Sequence, residues 1–332
     1  MYEDPPYDEW QRHQVGRDPD HLVQRAAGRS GTAWLVGCRP PGTIDRMSGL
    51  GNVRMLATDL DGTLLRPDGS VSTRTIAALA AARDAGFTVV FVTGRPPRWL
   101  APAVDATGHA GTAVCANGGV LVDLDADKVL TSHAIAPDLV LELAAELRSA
   151  APELLMAVEL VPVDSLDEPA AFGLETGYAS RLGNPPGARI GPLSELVAGQ
   201  PVVKLLARGS QEHTPDSLLA IAQRIVAGRV EVTHSSPRDP LLEISAVGVS
   251  KASTLAAFAA SLGLGPAQVV TVGDMPNDVP MLQWADRSYA IEGSHPHALA
   301  AAAGRVGRAE DDGVAMLLEV LLADLSGPNN SG

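Results

Sequence analysis

The chain is poor in cysteine, lysine and aromatic side chains, and each shortage argues against something. Cys38 and Cys115 are the only cysteines in 332 residues, too few for a disulfide framework, so a reducing, cytoplasmic setting is expected. Cys115 falls in an apolar run, where a buried thiol is the ordinary reading. No apolar stretch reaches the ~18 residues of a membrane span, and the amino end carries no charged n-region leading into an apolar h-region. Aromatics make up 4% of the chain against 45% hydrophobic residues, which points to an aliphatic, alanine-rich core. Only Lys128, Lys204 and Lys251 are lysines, so a lysine in a functional position stands out. The formal charge of −14, from 39 acidic against 25 basic residues, argues against a nucleic-acid or anionic-membrane partner. A small anionic substrate would then need positive charge supplied locally.

What is present reads as strands and helices in alternation. The length suggests about two domains. Residues 1–46 mix Pro, Gly, Asp and Arg around the isolated Trp10 and Trp34, with a short helical pattern near His21–Ala27, and read as a weakly ordered extension. The folded part is expected to begin near Met47 and to leave a short tail at 327–332. Met55–Thr58 has the length and flanks of a buried strand. Helical spacing from Val71 to Ala85, with Ser70 or Ser72 as cap, leads to the apolar strand Phe87–Val92. This order implies a parallel βαβ unit. Thr112–Ala116 is a further strand, and Val120–Val122 reads as the return arm of a hairpin.

The character then changes. A helical segment over Pro137–Ala150 is followed by short runs at Leu155–Val161, Ala170–Glu175 and Pro201–Ala207. A helix near Asp216–Ala227 and strands at Val230–Thr233 and Leu241–Ser245 come next. This reads as an α+β domain inserted at 131–242, because the alternating pattern resumes with Gln268–Val272 and later segments and thus divides the outer domain into 47–130 and 243–326.

Polar groups gather at the ends of the outer-domain strands, where open α/β sheets bind ligands. Asp59 and Asp61 close the first strand, and two carboxylates so close together are relieved by a cation, for which hard oxygen ligands favour Mg²⁺. Gly62 permits a tight turn. An Asp-Gly turn after a strand is also common without any site. Thr93, Gly94 and Arg95 close the second strand, and Asp274 a later one. Asn277 and Asp278 suit the first turn of a helix begun by Pro276. Lys251 sits in the first turn of another helix, where the dipole disfavours a cation unless an anion is bound nearby. Asn117-Gly118 is first a turn signal, with contact to substrate as the lesser alternative. In the insertion Arg181, His234 and Arg238 are candidates to meet a substrate phosphate, though such residues are mostly surface ones.

Four segments together resemble the motifs of the haloacid dehalogenase-like (HAD) phosphatases, specifically the Cof-type subfamily. They are Asp59-Leu60-Asp61-Gly62-Thr63, Val92-Thr93-Gly94-Arg95, Gly248-Val249-Ser250-Lys251 and Gly273-Asp274-Met275-Pro276-Asn277-Asp278, followed by Pro280-Met281-Leu282 and Asp311-Asp312-Gly313-Val314. The likeness runs from about Val53 to Leu325. Ala252 stands where the subfamily commonly has glycine, and Glu292-Gly293-Ser294 where an Asn-Ala pair is usual. The resemblance implies an α/β fold, a Rossmann-like parallel-sheet core with an inserted α+β C2-type cap.

The resemblance also implies roles. Asp59 is the nucleophile that forms an aspartyl-phosphate, and Asp61 is general acid to the leaving alcohol and then base to water. Mg²⁺ is bound by Asp59, the Asp61 carbonyl and Asp274. Leu60, Thr93, Gly94, Lys251 and Asn277 hold the phosphate, and Asp278 ties down Lys251 or Asp274. The substrate is expected to be a small phosphorylated metabolite, a sugar or cofactor phosphate, with neither nucleic acid nor membrane as partner. Two alternatives are a phosphomutase of the same superfamily and a phospho-acceptor signalling module. The single DxD on the first strand and the large insertion disfavour the second.

A chain beginning at Met47 is expected to be soluble and as active as the full chain. An insoluble or inactive product, beside an active full-length protein, would contradict this.

Overall fold

The computed structural model describes residues 52–178 and 187–325. The expected extension at 1–46, the start at Met47, the tail at 327–332 and Arg181 lie outside the described residues. Among the described residues fourteen strands fall in chain order as β1 (Met55–Thr58), β2 (Thr88–Val92), β3 (Thr112–Cys115), β4 (Val120–Asp123), β5 (Lys128–Ser132), β6 (Leu155–Leu160), β7 (Phe172–Leu174), β8 (Arg189–Ile190), β9 (Val202–Arg208), β10 (Val230–Thr233), β11 (Leu241–Ala246), β12 (Val269–Gly273), β13 (Arg287–Ile291) and β14 (Gly304–Val306).

Eight of them form one sheet in the order β14-β13-β12-β1-β2-β3-β4-β5. The pairings from β14 through β3 are parallel, and β4 and β5 return antiparallel. Strand β1 is central because both its faces are apolar and buried. Leu56 joins the cluster of Leu79, Ala82, Leu317 and Leu321 on one side. Met55 and Ala57 join Leu255 and Ala259 on the other. Those partners belong to helices Thr73–Asp84 and Gly313–Leu325 on the first face and Lys251–Ser261 on the second. Ser72 caps the first of them by accepting a hydrogen bond from the Thr75 N–H. From β1 the chain builds outward to β2 and β3 on one side and, after the insertion, to β12, β13 and β14 on the other. The β1/β12 junction is therefore the switch point of the sheet, and its carboxyl edge is the predisposed ligand site.

The second sheet has six strands in the order β10-β11-β9-β6-β7-β8 and is antiparallel except for β7 with β8. One face carries helices Pro137–Ala150 and Pro215–Val226, through Val140, Leu143, Leu147, Leu218 and Ala222 against Met156, Val158, Leu205 and Ile244. Strand alternation sends Glu159, Lys204 and Glu243 to the opposite face, and all three are buried there. The expected domain boundaries shift by a few residues. Strand β5 continues the first sheet to Ser132, beyond 130. Strand β11 crosses the expected break at 242/243, because it pairs with β9 along its length and so belongs to the second sheet. No helix among the described residues is long and apolar enough to cross a membrane.

Arg98, in the turn Pro97–Trp99 after β2, reaches from the core to Glu159 of the insertion and donates to both its carboxylate oxygens. Its guanidinium lies 4.5 Å from the Phe172 ring centroid and 4.8 Å from that of Trp99. The two side chains are 5% and 3% exposed, so removing one partner strands a charge out of water. Arg98→Ala should cost ~3–5 kcal/mol in chemical denaturation, whereas Arg98→Met with Glu159→Leu should recover most of the loss. A double variant as unstable as the single one would show that packing, not the stranded carboxylate, sets the cost.

Candidate active site

Asp59 continues the register of β1 by one residue, its N–H donating to the Val272 carbonyl at 2.9 Å. The chain then turns under the Leu60 carbonyl, which accepts from the N–H groups of Leu64 (3.0 Å) and Leu65 (2.8 Å). Gly62 makes the turn with φ +81°, and a Cβ there would lie 2.8 Å from Asp274 Oδ2. Thr63 donates its hydroxyl to Asp274 Oδ1 at 3.0 Å. One short segment thus presents Asp59 and also seats Asp274, which arrives from the end of β12.

Lys251 opens its helix behind a reciprocal Ser250/Ser253 cap, and this directs its side chain inward, 1% exposed. Its Nζ lies 2.6 Å from Asp59 Oδ1 and 2.6 Å from Asp278 Oδ1. Asp278 accepts on its other oxygen from the backbone N–H groups of Asp274 (3.0 Å) and Met275 (2.9 Å). Asp278 therefore ties Lys251 and the Asp274 backbone together.

The cluster holds three buried carboxylates against one ammonium. Burial opposes the charge on Lys251, but Asp278 and Asp59 outweigh it and raise its affinity for the proton. Burial pushes Asp59 up to about 7, against the attraction of Lys251 and with the repulsion of Asp278 and Asp61. Burial, then Asp59 and Asp278, raise Asp274 as well. A hard divalent cation would remove this conflict, and the donor set is all oxygen, as Mg²⁺ prefers. Asp59, Asp274 and Asp278 each offer an oxygen within 4.8 Å of the others. Asp278 has both oxygens committed to N–H donors, however, whereas Asp59 Oδ2 has no hydrogen-bond partner among the described residues. Asp59 and Asp274 are the carboxylates fitted to hold the ion.

Beside them, Thr93 is buried after β2, and its hydroxyl oxygen accepts from the Arg95 N–H at 3.0 Å. Arg95 grips the Asp61 carboxylate with two donors, Nε–Oδ2 at 2.8 Å and Nη2–Oδ1 at 2.5 Å. Gly94 lies under a polar roof. Its carbonyl accepts from Lys204 Nζ at 2.6 Å, and a Cβ on it would sit 3.2 Å from Asn117 Oδ1 and 3.3 Å from Glu243 Oε2. Glu243 accepts from Lys204 at 2.7 Å, from Asn117 Nδ2 at 2.9 Å and from the Ser235 hydroxyl. Asn117 Oδ1 in turn accepts from Asn277 Nδ2 at 3.0 Å. The Glu243 carboxylate fixes the direction of both amides, leaving Asn277 Oδ1 buried without a partner among the described residues.

The structure brings Asp59, Asp61, Thr93, Gly94, Lys251, Asp274, Asn277 and Asp278 to one end of the sheet. His234 is not among them, since its Nε2 faces Asp216 Oδ1 at 2.9 Å. Sequence reasoning missed Lys204 and Glu243. Both had a signal, for each is a charge inside an apolar run, and Lys204 is one of three lysines. Asn117 reads first as a turn, which it is, at φ +56°.

A family model described as haloacid dehalogenase-like hydrolase matches residues 56–318. The chain is 27% identical to the pyridoxal phosphate phosphatase YbhA of Escherichia coli over 72% of its own length and 87% of the relative's. Among solved structures it resembles SMU.1108c from Streptococcus mutans with a TM-score of 0.70 and 21% identity, covering 82% of this chain and 99% of that one. It also resembles BT1666 of Bacteroides thetaiotaomicron, a HAD-superfamily phosphatase, with a TM-score of 0.66 and 21% identity over 83% and 97% of the two chains.

The charge conflict has a consequence for pH. Folded Asp59 keeps its proton up to about 7, while the unfolded chain loses it near the ordinary 3.8. Across that window the folded state binds the extra proton, so stability falls as pH rises. In chelator, the melting temperature should drop more between about pH 5 and pH 7 in the native protein than in Asp59→Asn, and Mg²⁺ should stabilise the native protein more at about pH 8 than at pH 5. Equal slopes in the two proteins would contradict this account of the cluster.

Proposed function

The chain belongs to the haloacid dehalogenase-like hydrolases, in their Cof-type branch, and on that premise we propose that it is a Mg²⁺-dependent phosphatase of a small phosphorylated metabolite, working through an aspartyl-phosphate on Asp59. The observation that carries the reading is the Lys251 bridge, which steadies one oxygen of Asp59 at 2.6 Å and leaves the other without a partner among the described residues, at the carboxyl edge of the sheet.

In this reading the Asp59 carboxylate attacks phosphorus through one of its oxygens, and the bond from phosphorus to the ester oxygen breaks. Asp61 gives its proton to the leaving alcohol. Water then attacks the phosphoryl group, passes a proton to Asp61, and frees phosphate and the Asp59 carboxylate. Lys251, the Thr93 hydroxyl, Asn277 and the N–H groups of Leu60 and Gly94 hold the phosphoryl oxygens. Mg²⁺, held by Asp59, the Asp61 carbonyl and Asp274 with waters around it, would supply neutralising charge. Arg95 must release an oxygen of Asp61 before that carboxylate can carry a proton, so the fork at Arg95 keeps the acid oriented between turnovers.

Lys204, Glu243, Ser235 and Asn117 roof the site with donors and acceptors, which supports a polar, hydroxyl-bearing leaving group such as a sugar or cofactor alcohol. The pyridoxal phosphate phosphatase among the relatives has a substrate of that kind in its name. A screen of phosphorylated metabolites by phosphate release would identify the substrate, and chelation should abolish activity that Mg²⁺ restores.

Asp59→Asn should abolish both turnover and phosphoenzyme. Asp61→Asn keeps the backbone carbonyl, so Mg²⁺ should still bind while the rate falls by ~10²–10⁴. Nitrophenyl phosphate, whose leaving group needs little protonation, should still phosphorylate Asp61→Asn, and the adduct should accumulate for want of a base. Rapid quench and intact mass would detect it. An adduct on Asp59→Asn instead would reverse the two roles.

A further inference from the structure

Next to the oxygen cluster, a second group of potential ligands joins the inserted domain to the core. Asp216 lies in the first turn of helix Pro215–Val226, His234 follows β10, and His295 precedes helix Pro296–Ala301. Asp216 Oδ1 is 2.9 Å from His234 Nε2 and 3.7 Å from His295 Nε2, and the three side chains offer ligand atoms all within 4.8 Å of one another. Ligands on a tetrahedral ion with bonds of ~2.0–2.2 Å stand about 3.3–3.6 Å apart. The cluster brackets that spacing, and the exposed Asp216 side chain is free to adjust.

Hydrogen bonding accounts for the pairing of His234 with Asp216 but not for the place of His295. At 3.7 Å His295 is too far from Asp216 for a hydrogen bond, yet its Nε2 converges on the same oxygen as that of His234. His234 is 1% exposed, its ring lies edge-to-face with that of His295 at 6.0 Å between centroids, and its Nδ1 has no partner among the described residues, so the exposed Asp216 carboxylate is the one hydrogen-bond partner of a buried imidazole. Two imidazoles converging on one carboxylate oxygen are a donor set for a borderline transition cation rather than for Mg²⁺.

We propose that Asp216, His234 and His295 form a site for a Zn²⁺-class divalent cation that clamps the inserted domain onto the core. Two ligands come from the insertion and one from the core. The His295 N–H donates to the Asp274 carbonyl at 2.9 Å, so the clamp abuts the end of β12. The two sites sort metals by donor type, oxygen for Mg²⁺ at Asp59 and Asp274, nitrogen for the Zn²⁺ class at the clamp. Holding the insertion down slows the opening that admits substrate and releases product, and the clamp therefore inhibits turnover. That consequence rests on the phosphatase reading, whereas cation binding does not.

The test uses the full chain with excess Mg²⁺ to fill the oxygen site and Co²⁺ as a spectroscopic probe. One Co²⁺ per chain should bind with the visible d–d absorption of a low-coordinate nitrogen site. His295→Ala should weaken it by at least ~10–100-fold, the scale seen for losses around a metal centre. Asp216→Asn, at an exposed side chain that does not threaten the fold, should weaken it too. Zn²⁺ at saturating Mg²⁺ should slow phosphate release in the native protein and much less in either variant. Absence of the d–d band in the native protein, or equal Co²⁺ affinity in all three proteins, would overturn the site. An intact Co²⁺ spectrum lost in both variants, with no phosphate release from any substrate, would uphold the site and sink the phosphatase reading.

Discussion

The architecture depends on one imbalance, three buried carboxylates facing a single ammonium at the carboxyl edge of the first sheet. Charge of one sign gathered out of water is costly, and a chain tolerates it only where something else is to be bound. Lys251 offsets part of it by bridging Asp59 and Asp278, and Asp278 in turn holds the backbone of Asp274. What is left over is negative charge on oxygen donors, which a hard divalent cation would neutralise. The surrounding devices keep that imbalance in place. They are the Gly62 turn against Asp274, the Ser250 cap that aims Lys251, and the continuation of β1 pairing that places Asp59 at the switch point.

The same logic recurs where the inserted domain meets the core. Its sheet turns Glu159, Lys204 and Glu243 toward the core, and each is paired there, Glu159 with Arg98, and Lys204 with Glu243 and the Gly94 carbonyl. Buried charge pairs are poor sources of net stability but strict about geometry, because a misplaced partner leaves a charge stranded. The insertion is thus held in one register over the carboxyl edge of the first sheet. The amide relay from Glu243 through Asn117 to Asn277 extends that register from the insertion to the core.

Legibility followed locality. Strand β1, helix Pro137–Ala150 and strand β12 were readable because each carries its own periodicity or cap, and Asp59, Thr93, Lys251 and Asp274 because each sits at a strand end or helix start. Strand β5 escaped notice since it is largely exposed and lacks an apolar face, and β14 since it has only three residues. The break near 242 was placed inside β11, whose apolar run looks like any other until its pairing with β9 is known. Arg95 on Asp61, Lys204 on Glu243 and Asn277 on Asn117 join distant segments, and no spacing within the chain announces such contacts. The cluster of Asp216, His234 and His295 was opaque for the same reason, for its members come from separate elements.

The central claim is that Asp59 is itself phosphorylated and that the cluster exists to make this possible. The most direct measurement is the stereochemical course at phosphorus, using a phosphomonoester made chiral by oxygen isotopes and isotopic water. Transfer to Asp59 and then to water inverts phosphorus at each step, so the account predicts net retention. Net inversion would mean that water attacks the ester directly, and Asp59 would not be the nucleophile.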